Sequence, residues 1–214
     1  MTAATRRAWL AHCSVALLGS LGASPARAAA PVVMVLGDSL SAEYGLPRGS
    51  GWVALLVKRL AAEGVQAGVV NASISGDTTS GGRSRLPALL RQHKPTHVVL
   101  ELGGNDALRG LPLDMTRANL AAMAQASKSA GAKVVVVGMQ MPPNYGKRYG
   151  EQFAGLFAEV AKAEGAALVP FLLLGVADAP NAEALFQPDR IHPREAAQAT
   201  MLGNVWPVLK PLLR

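Results

Sequence analysis

A buried strand that runs directly into a polar loop is encoded at residues 32–41, which read VVMVLGDSLS. The first five residues are all apolar, and such a run ending at a glycine is typical of a strand covered on both faces. Asp38, Ser39 and Ser41 then follow the strand at its carboxyl end. Ligands of open parallel sheets bind beyond the carboxyl ends of the strands, so this loop is the first candidate for a functional site.

Strand and helix patterns alternate along the rest of the chain. Short apolar runs predict four further strands, at residues 69–70, 97–102, 133–139 and 167–169. Apolar residues at helical spacing predict the helices between them, at 52–63, 83–93, 114–130, 150–164 and about 193–209. This alternation indicates an α/β fold, a three-layer αβα sandwich with a five-stranded parallel sheet.

Two residues mark predicted starts of helices. Asp114 precedes an apolar periodic segment, and an aspartate side chain is a favoured acceptor for the free backbone N–H groups of a first turn. Pro193 suits the first turn of the last helix, because a residue there has no N–H partner to lose. We therefore expect Asp114 to cap its helix and Pro193 to lie inside the last one.

Residues 1–30 have the layout of a cleaved export signal. Two arginines supply a positive start, the next nineteen residues carry no charge, and the segment ends in SPARAAA. Cleavage after Ala28 or Ala30 fits this pattern, as does export by the general or the twin-arginine route. The alternative is a retained membrane anchor, which the polar residues of the stretch disfavour. We expect residues 31–214 to form one domain in the periplasm or the medium.

The composition excludes several classes of protein. Of the 214 residues, 50% are hydrophobic and 16% are charged, which is typical of a globular protein and not of a disordered one. Cys13 is the only cysteine, so the predicted mature chain has no disulfide, thiolate nucleophile or cysteine metal site. Loss of the three arginines in the signal lowers the formal net charge from +7 to +4. That charge is compatible with transient contact with a lipid surface, and no Lys/Arg block predicts nucleic-acid binding.

Polar segments follow other strands of the predicted sheet. They read NASISGD at residues 71–77, GGND at 103–106 and, after the last strand, DRIHP at 189–193. The carboxyl ends of parallel strands lie at one edge of a sheet, so we expect these segments to meet the loop that holds Ser39.

His192 is the best-placed base for Ser39. A hydrolytic serine needs a base to take its proton and a carboxylate to orient that base. His93 lies at a predicted helix end and His97 begins a strand at the opposite edge of the sheet. His192 lies at the candidate edge, with Asp189 three residues before it. This placement favours a catalytic role for the Asp-x-x-His segment over that of a plain surface turn.

The same edge offers donors for the oxyanion of a tetrahedral intermediate. Ser39 and Gly76 can each donate a backbone N–H, and Asn105 can donate its side-chain amide. Each has an ordinary alternative, since glycine and asparagine often serve only to make a turn. Their joint placement favours an oxyanion hole.

These segments resemble a known family. GDSLS at residues 37–41, Gly76, GGND at 103–106 and DRIHP at 189–193 are similar, in this order, to the four sequence blocks of the SGNH (GDSL) hydrolases. The similarity extends over residues 31–212 and looks greatest to the bacterial thioesterase I, protease I, lysophospholipase and arylesterase branch of the family.

The resemblance implies a role for each residue singled out above. Ser39 would be the nucleophile, His192 the general base, and Asp189 the group that orients it. The N–H groups of Ser39 and Gly76 and the side chain of Asn105 would form the oxyanion hole. The family's flavodoxin-like sandwich agrees with the predicted alternation, and the Gly-x-Ser-x-Gly elbow of α/β-hydrolases is absent around the serine.

Substrate-binding residues are expected in the segment that follows Asn105. Leu108, Arg109, Gly110 and Leu111 match a mobile substrate-binding loop of the relatives. The two leucines would cover an acyl chain, and the glycine would permit motion. An ordinary surface loop is the alternative.

The sequence therefore predicts a serine esterase for small-molecule carboxylic esters and thioesters, aryl esters and lysophospholipids among them, through an acyl-serine intermediate. We expect no cofactor and no metal, since no ligand spacing or phosphate-binding loop is found, and the family favours a monomer. Asp38 is expected to support its loop and not to react. The alternatives are a carbohydrate deacetylase or acyltransferase on the same fold, and a non-catalytic acyl- or lipid-binding protein.

Overall fold

The structure, a computed structural model, describes residues 30–213. Its strands are β1 (Val32–Gly37), β2 (Gly68–Asn71), β3 (His97–Glu101), β4 (Lys133–Val137) and β5 (Ala167–Val169). Its α-helices are α1 (Trp52–Ala62), α2 (Thr79–His93), α3 (Gly104–Leu108), α4 (Leu113–Ser129), α5 (Lys147–Glu164), α6 (Ala182–Leu185) and α7 (Glu195–Leu209). Short 3₁₀ helices lie at Pro143–Tyr145 and Lys210–Leu213. All strand pairs are parallel, in the order β2-β1-β3-β4-β5, which confirms the predicted fold class.

Apolar side chains alternate between the two faces of the sheet and build two cores. On β1, Met34 and Leu36 contribute to one core, Val33 and Val35 contribute to the other, and all four are fully buried. Helices α2, α4 and α5 pack on the first face, and α1 and α7 pack on the second. Because both faces are covered, the strands read as continuous apolar runs in the sequence.

Helix α2 begins at Thr79, earlier than the predicted residue 83. The Thr78 hydroxyl accepts a hydrogen bond from the N–H of Gly81 at 3.3 Å and so caps the first turn. Gly81 and Gly82 hide the helix in the sequence because glycine disfavours a helix interior. Gly82 is required by packing, since a Cβ there would lie 2.3 Å from a side-chain carbon of Leu102.

Two other predicted helix starts are wrong. Asp114 does not cap α4: it lies inside the first turn, where its carboxylate accepts a hydrogen bond from Arg117, and Pro112 occupies the cap position. Pro193 lies outside α7, which begins at Glu195. In both cases the residue type suited the end of a helix, but the observed boundary differs from the predicted one by one or two residues.

The sheet order brings four loops to one edge. The chain leaves β1 toward Ser39, β2 toward Gly76 and β3 toward Asn105. Strand order reverses direction at β1, which lies between β2 and β3, and this is the position at which open α/β sheets bind ligands. The loop between α6 and α7, which carries His192, reaches the same edge.

No helix within residues 30–213 is long and apolar enough to cross a membrane. The predicted export signal lies, apart from Ala30, outside the described residues. Its cleavage, and the boundary of the domain at residue 31, stay predictions.

Candidate active site

Ser39, His192 and Asp189 form a continuous chain of contacts at this edge. The Ser39 Oγ atom lies 2.8 Å from Nε2 of His192, and Nδ1 of the same ring lies 2.7 Å from Oδ2 of Asp189. With the imidazole proton on Nδ1, as the carboxylate contact favours, Nε2 is free to accept the serine proton. The three side chains are therefore arranged to activate the hydroxyl.

The surroundings of Asp189 keep it ionised. Partial burial raises its pKa, but hydrogen bonds outweigh this: the backbone N–H groups of His192 and Ile191 donate to Oδ1 at 3.0 and 2.9 Å, and the imidazole contacts Oδ2. Together they lower the pKa of Asp189 to about 2. At neutral pH a negatively charged carboxylate thus faces the imidazole.

The turn that holds His192 is built locally. Phe186 and Pro193 pair in an antiparallel bridge, and the N–H of Gln187 donates to the His192 carbonyl at 2.8 Å. Arg190 has a φ of 58°, in the left-handed region that few side chains adopt. The short loop therefore accepts backbone strain to bring Asp189 and the imidazole onto each other.

Two backbone N–H groups near Ser39 are free to bind an oxyanion. The N–H groups of Ser39 and Gly76 have no hydrogen-bond acceptor within residues 30–213. Gly76 has a φ of 79°, so glycine is the residue that this turn favours. These two donors have the character that an oxyanion hole needs.

The Asn105 amide, the third predicted donor, lies at the same place but is already engaged. It donates to Oδ2 of Asp38 at 3.0 Å and to the carbonyl of Asp77 at 2.9 Å. These bonds tie it to both neighbouring loops and fix its orientation. Both N–H bonds of the amide have protein acceptors, so an oxyanion would have to take over one of them.

Asp106 joins the loops that carry Gly76 and Asn105, and sequence reasoning assigned it no role. Its buried carboxylate accepts hydrogen bonds from the N–H of Thr79 at 2.8 Å, the hydroxyl of Thr79 at 2.5 Å and the hydroxyl of Thr116 at 3.3 Å. The only signal in the sequence was its position next to Asn105. Its bonds to Thr79, the first residue of α2, fix the loop that carries Gly76 relative to the loop that carries Asn105.

A second missed group lies beneath the Ser39 loop. Glu101, at the end of β3, is fully buried, and its Oε2 accepts a hydrogen bond from the Ser41 hydroxyl at 2.5 Å and from the Asp38 N–H at 3.3 Å. The Ser41 hydroxyl in turn accepts from the indole N–H of Trp52 at 3.1 Å. This buried network supports the backbone that presents the serine.

Burial raises the pKa values of both carboxyl groups in that network. The pKa of Asp38 rises to about 7, although hydrogen bonds from the Leu40 N–H and the Asn105 amide work in the opposite direction. Burial, together with the charge of the nearby Asp38, holds the pKa of Glu101 well above its ordinary value. The pKa of Asp38 thus departs from its ordinary value in the opposite direction to that of Asp189.

An apolar cavity of about 520 Å³ opens beside Ser39 and His192. Its walls are mainly apolar and come from α3, α5, the loops after β1, β4 and β5, and the loop between α6 and α7: Leu40, Leu108, Met139, Met141, Phe153, Phe171, Leu172, Leu173, Phe186 and Ile191. A cavity of this size and lining suits an acyl group, and Ser39, Asn105 and His192 belong to its polar lining.

The predicted substrate-binding residues separate in the structure. Leu108 lies in the wall of the apolar cavity, whereas Gly110 and Leu111 border a second, more polar hollow. The Arg109 guanidinium donates to the carbonyl of Gly76 at 2.7 Å. Arg109 thus contacts the oxyanion side of the site.

No metal centre is formed within residues 30–213, where no three His, Cys, Asp or Glu side chains lie close enough to share an ion.

Comparison with known proteins identifies the family. Residues 35–200 match the model of the GDSL-like Lipase/Acylhydrolase family. The chain is 56% identical over 187 residues to esterase TesA of Pseudomonas aeruginosa, covering 87% of this chain and 92% of the relative. It is 41% identical over 186 residues to thioesterase 1/protease 1/lysophospholipase L1 of Escherichia coli K12, covering 87% and 86%. The crystal structure of the psychrotrophic esterase EstA from Pseudoalteromonas sp. matches with a TM-score of 0.79 and 40% identity, covering 85% of this chain and 98% of that one. The chain therefore belongs to the GDSL-like lipase/acylhydrolase family.

Proposed function

We propose that this protein hydrolyses carboxylic esters and thioesters, with Ser39 as the nucleophile. The observation that carries the proposal is the contact chain from Ser39 through His192 to Asp189, beside an apolar cavity that Ser39 and His192 help to line. Family membership supports hydrolysis of an ester bond, and the names of the two relatives support an esterase or thioesterase.

Acylation begins at the serine hydroxyl. Ser39 Oγ attacks the carbonyl carbon while its proton passes to Nε2 of His192, and the carbonyl electron pair moves to oxygen. The imidazolium that forms is stabilised by Asp189. When the tetrahedral intermediate collapses, the alcohol or thiol leaves with the proton from Nε2, and the acyl group remains on the serine.

Deacylation repeats these steps with water. His192 takes a proton from the water as the oxygen attacks the acyl-serine carbonyl, and then returns it to Ser39 as the carboxylic acid leaves. In both halves the negative oxygen is bound by the N–H groups of Ser39 and Gly76. The Asn105 amide becomes the third donor by exchanging one of its present acceptors for the oxyanion.

The apolar cavity is assigned to the acyl chain. Its lining is mainly apolar and includes Ser39 and His192. Aryl esters, acyl thioesters and lysophospholipids share an apolar acyl group next to the reacting carbonyl, so all three are substrate classes for this site. The exposed apolar side chains of Leu108 (39%) and Ile191 (43%), at the cavity, favour brief contact with lipid surfaces during substrate uptake.

The proposed location is the periplasm or the external medium, and the proposed state is a monomer. The layout of the first thirty residues supports export and removal of that segment. Fractionation of expressing cells tests the export, and the N-terminal residue and mass of the exported form test the removal of the segment. A full-length protein retained in the membrane would contradict the location.

The test of function is hydrolysis of a series of p-nitrophenyl esters, from acetate to palmitate, by the wild type and Ser39→Ala. We expect turnover by the wild type, a preference for some chain lengths, and a loss of kcat of about 10⁶-fold in the variant, from the cost of removing a serine nucleophile. A folded wild type without activity on any ester would contradict the proposal. Much faster release of acetate from acetylated sugars would assign a carbohydrate deacetylase instead.

A further inference from the structure

The aromatic ring of Tyr44 lies against the imidazole of His192. The ring centroids are 4.3 Å apart and the planes are inclined by 40°. Tyr44 is 49% exposed, and its hydroxyl has no hydrogen-bond partner within residues 30–213. A half-exposed ring contributes little to the core, so its position over the imidazole calls for another explanation.

Gln187 lies between the loops that carry Tyr44 and His192 and forms a hydrogen bond with each of them. The carbonyl of Tyr44 accepts a hydrogen bond from Nε2 of Gln187 at 2.9 Å, and the N–H of Gln187 donates to the His192 carbonyl at 2.8 Å. Gly45, with a φ of 68°, leaves room for this glutamine, because a Cβ there would lie 2.2 Å from Oε1 of Gln187. Gln187 thus ties the loop of Tyr44 to the loop of His192.

We propose that Tyr44 is a positioning residue for the reaction, holding the His192 imidazole against Ser39 and stabilising the imidazolium that forms during proton transfer. This inference rests on the proposed function. The face of an aromatic ring carries partial negative charge and attracts a cation within about 6 Å of its centroid. The proton that leaves Ser39 Oγ places a positive charge on an imidazole that contacts the Asp189 carboxylate and whose centroid lies 4.3 Å from that of the Tyr44 ring.

The charged side chains near the imidazole make their hydrogen bonds and ion pairs with groups other than the Tyr44 ring. The ionisable side chains that border this part of the cavity or lie next to the two loops are Asp38, Glu43, Asp178, Asp189, Arg190 and Arg194. Glu43 accepts hydrogen bonds from the N–H groups of Gly49 and Gly51, and Arg190 faces Glu183 at 3.4 Å. None of these contacts involves the phenol ring, so a substitution at Tyr44 isolates its effect on the imidazole.

The test compares Tyr44→Leu with Tyr44→Phe in the full protein, with Tyr145→Leu, another exposed tyrosine, as the control. We expect kcat for a p-nitrophenyl ester to fall about three- to thirtyfold in Tyr44→Leu, the range of a cation–π contact, with KM within about twofold. The acid limb of its kcat/KM–pH profile moves to lower pH, because the protonated imidazole has lost a stabilising neighbour. Tyr44→Phe keeps the ring and retains both the wild-type kcat and the wild-type profile.

Four results would overturn the inference while the wild type still shows turnover that depends on Ser39. They are a wild-type kcat and profile in Tyr44→Leu, an equal loss in Tyr44→Phe, a loss confined to KM, and a fall in kcat without movement of the acid limb. The last of these would assign Tyr44 a merely structural part. A wild type without serine-dependent turnover would overturn the proposed function, and with it this inference.

Discussion

Two aspartates near Ser39 experience opposite environments. Asp189 lies in a partly exposed turn, where three hydrogen bonds lower its pKa to about 2. Asp38 is 2% exposed beneath the serine, and burial raises its pKa to about 7. Proximity to Ser39 is thus not what brings a carboxylate onto the imidazole: Asp189 contacts His192, whereas Asp38 contacts the Leu40 N–H and the Asn105 amide. The group that serves the imidazole keeps its charge, whereas the adjacent group is a buried support.

Substitution of Asp189 has the largest expected effect on this comparison. Asp189→Asn should lower kcat about 10⁴-fold, because an amide at this position favours the wrong imidazole tautomer. Asp38→Asn should lower kcat only about fivefold, since one of its two accepted hydrogen bonds, a contribution of about 1 kcal/mol, is lost. Steady-state hydrolysis of one p-nitrophenyl ester measures both. Losses of equal size would remove the distinction between the two residues.

The next largest effect is expected at Asn105, whose side-chain amide donates a hydrogen bond to Asp38. Asn105→Ala should lower kcat by about 10²–10³-fold with little change in KM, the cost of losing one oxyanion donor. Asn181→Ala is the matched control, because the Asn181 side chain makes no capping hydrogen bond at α6. If kcat for Asn105→Ala stays within threefold of the wild type, the amide only ties the loops together.

The pH dependence of stability separates the two environments without reference to catalysis. The raised pKa values of Asp38 and Glu101 mean that the folded protein holds protons that the unfolded chain releases, so the contribution of each to stability falls as pH rises. For Asp38 this fall runs from about pH 4 to about pH 7, and for Glu101 it begins near the ordinary pKa of a glutamate. For Asp189 the sign is opposite: its contribution is present above about pH 4 and is lost as pH falls toward 2.

Glu101→Gln tests the buried side of this contrast. The amide oxygen can still accept from Ser41 and the Asp38 N–H, but the buried pair loses one of its two titrations. Urea unfolding should show a free energy of unfolding close to that of the wild type at pH 4.5 and higher than that of the wild type at pH 8. A wild type whose stability does not fall between these pH values, or a variant with the same pH dependence, would contradict the account.

The smallest effect is expected at the other end of the sheet. His97 is buried at the start of β3, where its Nε2 lies 2.8 Å from the Leu212 carbonyl, and burial lowers its pKa. His97→Gln should leave kcat within about twofold and lower the free energy of unfolding by about 1 kcal/mol, the value of one hydrogen bond. A collapse of turnover in a normally folded variant would mean that the base was misidentified.

The residues that the sequence revealed share one property, which is their place after a strand. Ser39, Gly76 and Asn105 could be assigned to one edge because apolar runs mark the strands and parallel strands end together. His192 could be paired with Asp189 because the two are close in sequence, and a local turn is enough to join them. Strand ends and short-range spacing are thus readable without a structure.

The residues that the sequence did not reveal act through contacts between distant segments. Asp106 binds Thr79, Glu101 binds Ser41, and Tyr44 packs on His192. No periodicity marks such pairs, since each depends on how two loops pack after the sheet has formed. The opposite pKa shifts of Asp38 and Asp189 cannot be read from the sequence for the same reason, because burial is a property of the assembled fold.

Covalent labelling by a fluorophosphonate tests the central claim most directly, since the reagent reacts with an activated serine. Intact-mass measurement and peptide mapping of the wild type should show one adduct, on the peptide that contains Ser39, with labelling greatly slowed in His192→Ala and absent in Ser39→Ala. An adduct on another serine, or labelling of Ser39 at an unchanged rate without His192, would contradict the mechanism.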